Sequence, residues 1–145
     1  MQDSTNGENG WVLFPHEADI GVRGIGCDLT DAFANAARAM TSAITPLSGI
    51  EPRSEVSVSC SAPDIEVLFV DWLNAVIYEM ATRKMLFRDF DLSIEGGELR
   101  ANLIGEALDC DRHAPSVEPK GATFTGLSVA QGSDGRWVAE CIVDV

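Results

Sequence analysis

The stretch Phe90-Asp91-Leu92-Ser93-Ile94-Glu95-Gly96-Gly97-Glu98-Leu99-Arg100-Ala101-Asn102-Leu103 decides the fold class. Apolar residues fall at every second position up to Ile94 and again from Leu99 to Leu103, with a glycine pair between. Period-two alternation turns one face of each segment toward a core. Gly96-Gly97 meets the positive φ angles of a tight hairpin turn. The sheet is antiparallel here. Upstream, Val56, Val58 and Cys60 alternate with serines, as in a half-buried strand. Downstream, residues 124–129 and 137–143 read as a second hairpin around Ser133-Asp134-Gly135. Near the start, residues 11–14 read as a strand ending at Pro15. Ile20, Val22 and Ile25 continue extended but irregular, because glycines occupy 21, 24 and 26.

Two segments carry the other period. Leu29, Phe33, Ala36, Ala37, Met40 and Ile44 recur at three- and four-residue steps and predict a helix with one buried face. Asp28 stands where it caps the first turn, and Thr45-Pro46 ends the pattern. Ile65, Leu68, Phe69, Trp72, Leu73, Val76, Ile77 and Met80 predict a longer core helix started by Ser61-Ala62-Pro63-Asp64, with the proline in its first turn. Asp71 and Asn74 lie off its apolar centre and read as solvated. Residues 1–10 are polar and predict a mobile tail before a domain over 11–145. The expected fold is α+β: a single domain with a largely antiparallel sheet and two main helices.

At 145 residues and 46% apolar, the chain is long enough to bury a core without staples. Its formal charge of −13 repels phosphate backbones and anionic lipid alike, so neither direct nucleic-acid binding nor membrane binding is expected. A basic protein surface or a metal cation suits it better. Cys27, Cys60, Cys110 and Cys141 are scattered without a C-x-x-C pair, and neither a signal core nor a spanning apolar run is present, so a reduced cytoplasmic protein is expected. Cys110 and His113 supply half of a zinc site with no second pair to complete it. Phosphate-loop, dinucleotide and nucleophile-elbow signatures are missing.

Bulk chemistry leaves the two extremities unexplained. His16-Glu17-Ala18-Asp19-Ile20-Gly21 and the final Asp144-Val145 each set an aspartate beside a strand-like run. If Val145 is the natural end, its carboxylate adds a second anion there. Either the two ends meet and hold a hard cation between oxygens, or Asp19 makes a turn and Asp144 is merely solvated. From the residues alone both remain open.

His16 to Gly21, Asp71-Trp72-Leu73-Asn74, Arg112-His113, residues 118–126 and Val143-Asp144-Val145, in this order, resemble the archease family from residue 11 to 145. Archeases are small α+β accessory factors of the RtcB-type RNA ligase in tRNA splicing and RNA repair. They promote guanylylation of the ligase, sustain multiple turnover and are not themselves enzymes. The resemblance implies that Asp19, Asp144 and Val145 hold a divalent metal, calcium first and magnesium or manganese as alternatives. It implies a partner- or phosphate-contacting role for Lys120, with His16 and Glu17 around the metal site. The chain departs from the family's usual pattern at Glu17, Pro119 and Phe124-Thr125. The rival readings are a metal-dependent hydrolase using Asp19 and Asp144, and a general protein-binding or chaperone-like module.

Overall fold

Nine antiparallel-paired strands and two long helices form the domain in a computed structural model, which describes residues 4–6 and 10–145. The first sheet contains β1 (Ser4–Asn6), β2 (Trp11–His16), β3 (Asp19–Gly26), β9 (Trp137–Asp144) and β7 (Gly121–Ala122) in that spatial order, and β8 (Ser128–Gln131) also pairs with β9. The second has β6 (Glu98–Ala107) between β4 (Ser54–Ser61) and β5 (Met85–Glu95). The β5–β6 hairpin turns at Gly96 and Gly97, both at positive φ. Every pairing is antiparallel, as the alternation predicted.

Helix α1 (Leu29–Ile44) begins where expected: the Asp28 carboxylate accepts from the Asp31 amide at 2.8 Å, satisfying a first-turn donor. It lies across β3. Gly24 permits that approach, because a Cβ there would meet the Ala32 carbonyl oxygen at 1.9 Å. Gly21 likewise leaves room for the Phe14 ring. The glycines expected to disrupt this segment instead let a regular strand pack closely on both faces.

Helix α2 (Ile65–Arg83) is capped by Asp64, so Pro63 precedes the helix rather than lying in its first turn. Phe33, Phe69, Trp72, Leu73, Phe87, Leu99 and Leu103 are fully buried between the helices and both sheets. Other expectations shift. Pro15 lies within β2 rather than ending it. Ser4–Asn6 pairs with β2 where a tail was expected, while residues 1–3 and 7–9 lie outside the described residues. The strand expected over 124–129 is displaced to Ser128–Gln131 by a turn in which the Leu127 amide reaches the Phe124 carbonyl. No helix among the described residues is long and apolar enough to cross a membrane.

Candidate functional site

The β2–β3 hairpin and the end of β9 bring the two terminal motifs together. His16 pairs with Asp19 across a turn in which Glu17 adopts the left-handed region at φ 56°. In the β3–β9 ladder Ile20 lies opposite Val143, and one step further on the same register is Asp19 opposite Asp144. Directly opposed residues place their Cβ atoms roughly 4.5–5.5 Å apart, a spacing that is unfavourable for two like charges. The ends are tied as well: the Val145 amide donates to Asp19 Oδ1 at 3.2 Å. Inward positions Ile20, Val22, Ala139, Cys141 and Val143 belong to the core, so strand alternation puts Asp19 and Asp144 on the opposite face.

Lys120 is brought to the same place through the main chain. Its amide donates to the Asp144 carbonyl at 2.8 Å, and Gly121 pairs with Asp144 in β7. Two-residue β7 is in turn clamped to α2. The Asn74 carbonyl oxygen accepts from the Ala122 amide at 2.8 Å, and its amide nitrogen donates to the Ala122 carbonyl at 3.4 Å. Asn74 is therefore no solvated helix residue. It closes an amide pair with a backbone that has little sheet of its own.

In donor type this corner fits a hard cation: two carboxylates with main-chain oxygens beside them suit calcium, magnesium or manganese rather than zinc or copper. In donor number it is sparse. Among the described residues, no three His, Cys, Asp or Glu side chains converge as a metal-holding group. With so few side-chain donors, an ion held here would take the rest of its ligands from water or from a ligand's oxygens.

A second polar cluster is structural. Glu106, 5% exposed, accepts from Arg112 Nη2 at 2.6 Å, the Glu51 amide at 2.7 Å and His113 Nε2 at 3.0 Å. The Asp109 amide donates to His113 Nδ1 at 2.9 Å, so Nε2 carries the proton given to Glu106. Thr45 Oγ1 donates to the His113 carbonyl and Arg112 to the Gly49 carbonyl, both at 2.7 Å, pinning the short helical turn Cys110–His113 onto the end of α1 and the turn that follows it. With both ring nitrogens engaged, His113 has none left for zinc alongside Cys110, and the half-site is no ligand pair.

The Arg112 guanidinium, then the Glu51 amide, hold the Glu106 carboxyl at about 2, below its ordinary 4.5. A group lowered in the folded state stabilises fully above the unfolded value and loses that contribution as pH falls through the folded one. Between pH 4.5 and 2, stability should therefore fall less steeply in Glu106→Gln than in the parent. Urea melts across that window test this, and equal slopes would remove Glu106 from the account.

The cysteines are free thiols. Burial pushes Cys141 up to about 12 and, with Asp71 adding to it, Cys60 up to about 11, so these two are poor nucleophiles.

A sequence profile described as the archease protein family (MTH1598/TM1083) matches residues 11–145. The archease of Methanopyrus kandleri is 34% identical over 139 residues, covering 93% of this chain and 99% of that protein. The archease of Pyrococcus abyssi is 32% identical over 139 residues, with 93% and 98% covered. The solution structure of Methanobacterium thermoautotrophicum protein 1598 superposes with a TM-score of 0.81 at 28% identity, covering 94% of this chain and 99% of that one. An archease from Thermotoga maritima, described as a possible chaperone, shares the fold at a TM-score of 0.62 and 18% identity, over 91% and 94% of the two chains. With the profile spanning the whole domain and the two-sheet fold recurring in these relatives, the chain belongs to the archease protein family.

Proposed function

We propose that this chain is a metal-binding accessory protein that activates an RtcB-type RNA ligase, promoting the ligase's guanylylation and its multiple turnover in tRNA splicing and RNA repair. The observation that carries the reading is the end of the β3–β9 ladder, where Ile20 pairs with Val143 and Asp19 and Asp144 come next in register, with Val145 tied to Asp19 and Lys120 tied to Asp144. Asp19, Asp144 and the main-chain oxygens of Val145 hold the ion, and His16 and Glu17 shape the hairpin beside it. A bound divalent cation supplies charge neutralisation at phosphoryl oxygens. The sparse donor set favours this use, since magnesium in particular is commonly held by one or two carboxylates together with phosphate oxygens. Calcium fits the same oxygens, and the open positions accommodate its larger shell. Lys120, the residue just before β7, reaches a phosphate or a partner carboxylate. On this reading the protein works in the cytoplasm beside its ligase.

Hydrolysis by Asp19 and Asp144 would need a positioned base as well as an ion. His113 is committed to Glu106 and Asp109, so the base would have to be His16 or a carboxylate beside the corner, and it is the family match that favours a helper role over a catalytic one. The test is guanylylation of the cognate ligase under multiple-turnover conditions, with and without this protein. Turnover should rise when the protein is added and return to the ligase-alone level when its divalent ion is removed. An unchanged rate would overturn the proposal.

A further inference from the structure

Two large apolar side chains among the described residues stand in solvent: Tyr78, 65% exposed, on α2, and Phe124, 63% exposed, in the loop after β7. Isolated exposed apolar residues are ordinary on protein surfaces. What distinguishes these two is the segment they flank. Asn74, one helical turn before Tyr78, clamps Ala122, and Phe124 follows Ala122 by two residues. That same segment fixes Lys120 and Gly121 against Asp144. Neither aromatic hangs on a loose chain. Tyr78 lies within a long helix, and Phe124 sits in a turn closed by the Leu127 amide, with neighbours Thr123 and Thr125 both bonded to Ile142.

The charge around them is one-sided. Residues 16–22, 65–79, 115–131 and 137–145, which build this region, contain eight Asp and Glu against a single cation, Lys120. At its margins Arg23 and Arg83 are taken up by Glu140 and Glu79, and Lys84 lines a pocket with Glu118 at the C-terminal end of α2, so the balance stays acidic but is not free of cations. Other arginines gather elsewhere: Arg112 bonds the Gly49 carbonyl, Arg88 the Ile50 carbonyl, and Arg53 pairs with Glu106. Rigid aromatic anchors in a charged rim are the composition of a protein-binding hot spot. Nucleic acid and anionic membranes are repelled by the same acids.

We infer that Tyr78 and Phe124 are the anchors of the docking surface for a protein partner that offers apolar recesses ringed by lysine and arginine. This rests on the function proposed above for the partner's identity, an RNA ligase whose substrate-binding surface carries that charge. The segment between the anchors is joined to the Asp19–Asp144 corner through the main chain at Lys120 and Gly121.

The experiment titrates Tyr78→Ser, Phe124→Ser and the double variant against the cognate ligase by calorimetry, alongside the guanylylation assay. Each single change should weaken binding about tenfold and the double change about a hundredfold or more, on the hot-spot scale. The concentration giving half-maximal stimulation should rise by the same factors, with full stimulation restored at saturation. Parent binding should also weaken as salt is raised. Circular dichroism melts and ion titration of the double variant should match the parent. A folded double variant that binds the ligase like the parent overturns the docking surface even if stimulation stands, and so does a parent that does not bind. A parent that binds through these residues without stimulating removes the proposed function and leaves the surface intact.

Discussion

Asp144→Ala is expected to reduce stimulation of the ligase to the level seen without this protein, and Asp19→Ala should do the same. The reason is donor number. With two side-chain carboxylates at the corner and no third acidic, histidine or cysteine ligand among the described residues, each replacement removes half of the site's side-chain charge. Loss of an outer-shell partner alone typically costs 10- to 100-fold in metal affinity, so loss of a direct ligand should cost at least about 100-fold. The fold should survive. Asp144 is exposed, and neither aspartate side chain belongs to the core. Lys120→Ala separates two roles of the same corner. Its amide bond to the Asp144 carbonyl is made by the backbone and remains in the variant, so ion affinity should stay near the parent's while stimulation falls. The measurements are ion titration, circular dichroism and guanylylation on the same preparations. Folded Asp19→Ala and Asp144→Ala proteins that stimulate like the parent would sink the metal-helper mechanism.

What the sequence discloses follows the range of the forces involved. The hairpin at Gly96-Gly97, the Asp28 cap and the apolar stripes of both helices depend on neighbours a few residues away, and they read directly. The two terminal aspartates are visible as an oddity, but their juxtaposition depends on which strand lies beside β3. Local pattern does not encode that. The family resemblance points to it, and the β3–β9 ladder, ending at Ile20 and Val143, brings the two ends together with the Val145 amide on Asp19.

Asn74 misleads for a related reason. On a helical wheel it is a polar flank, and only the arrival of Ala122, 48 residues later, makes it a clamp. Glu106 is likewise one residue at a polar loop boundary until Arg112, His113 and the Glu51 amide converge on it. Glycines 21, 24 and 26 mislead in the opposite direction. Their lack of a side chain signals irregularity locally, while the Ala32 carbonyl and the Phe14 ring show why the space at 24 and 21 had to be empty. The apolar pattern over 124–129 also loses to the turn at Phe124, which leaves that ring outside the core.

Trp72→Ala is expected to be the most destabilising of these substitutions, and it divides packing from function. Trp72 is fully buried, meets Phe90 edge-on at 5.9 Å and 88°, and donates its indole N–H to the Phe33 carbonyl at 2.9 Å. It therefore ties α2 to α1 and to the second sheet at one point. Truncation loses the transferred area, leaves a cavity and takes away a buried hydrogen bond. Core Trp→Ala changes cost about 3–5 kcal/mol, which at 2–4 °C per kcal/mol in a chain of this size lowers Tm by roughly 6–20 °C. Trp72→Phe keeps the ring contact and gives up the hydrogen bond, so its penalty should be smaller, about 1–2 kcal/mol. Urea melts should show a lower midpoint with an unchanged slope. Next to Trp72 in the chain, Leu73 is also core, while Asn74 reaches out to β7. Asn74→Ala should therefore cost less stability than Trp72→Ala yet disturb stimulation more per folded molecule, because it releases the strand that directly follows Lys120. If stimulation per folded molecule, assayed well below each Tm, falls more in Trp72→Ala than in Asn74→Ala, then the core of α2 rather than its clamp on β7 sets the geometry of the corner.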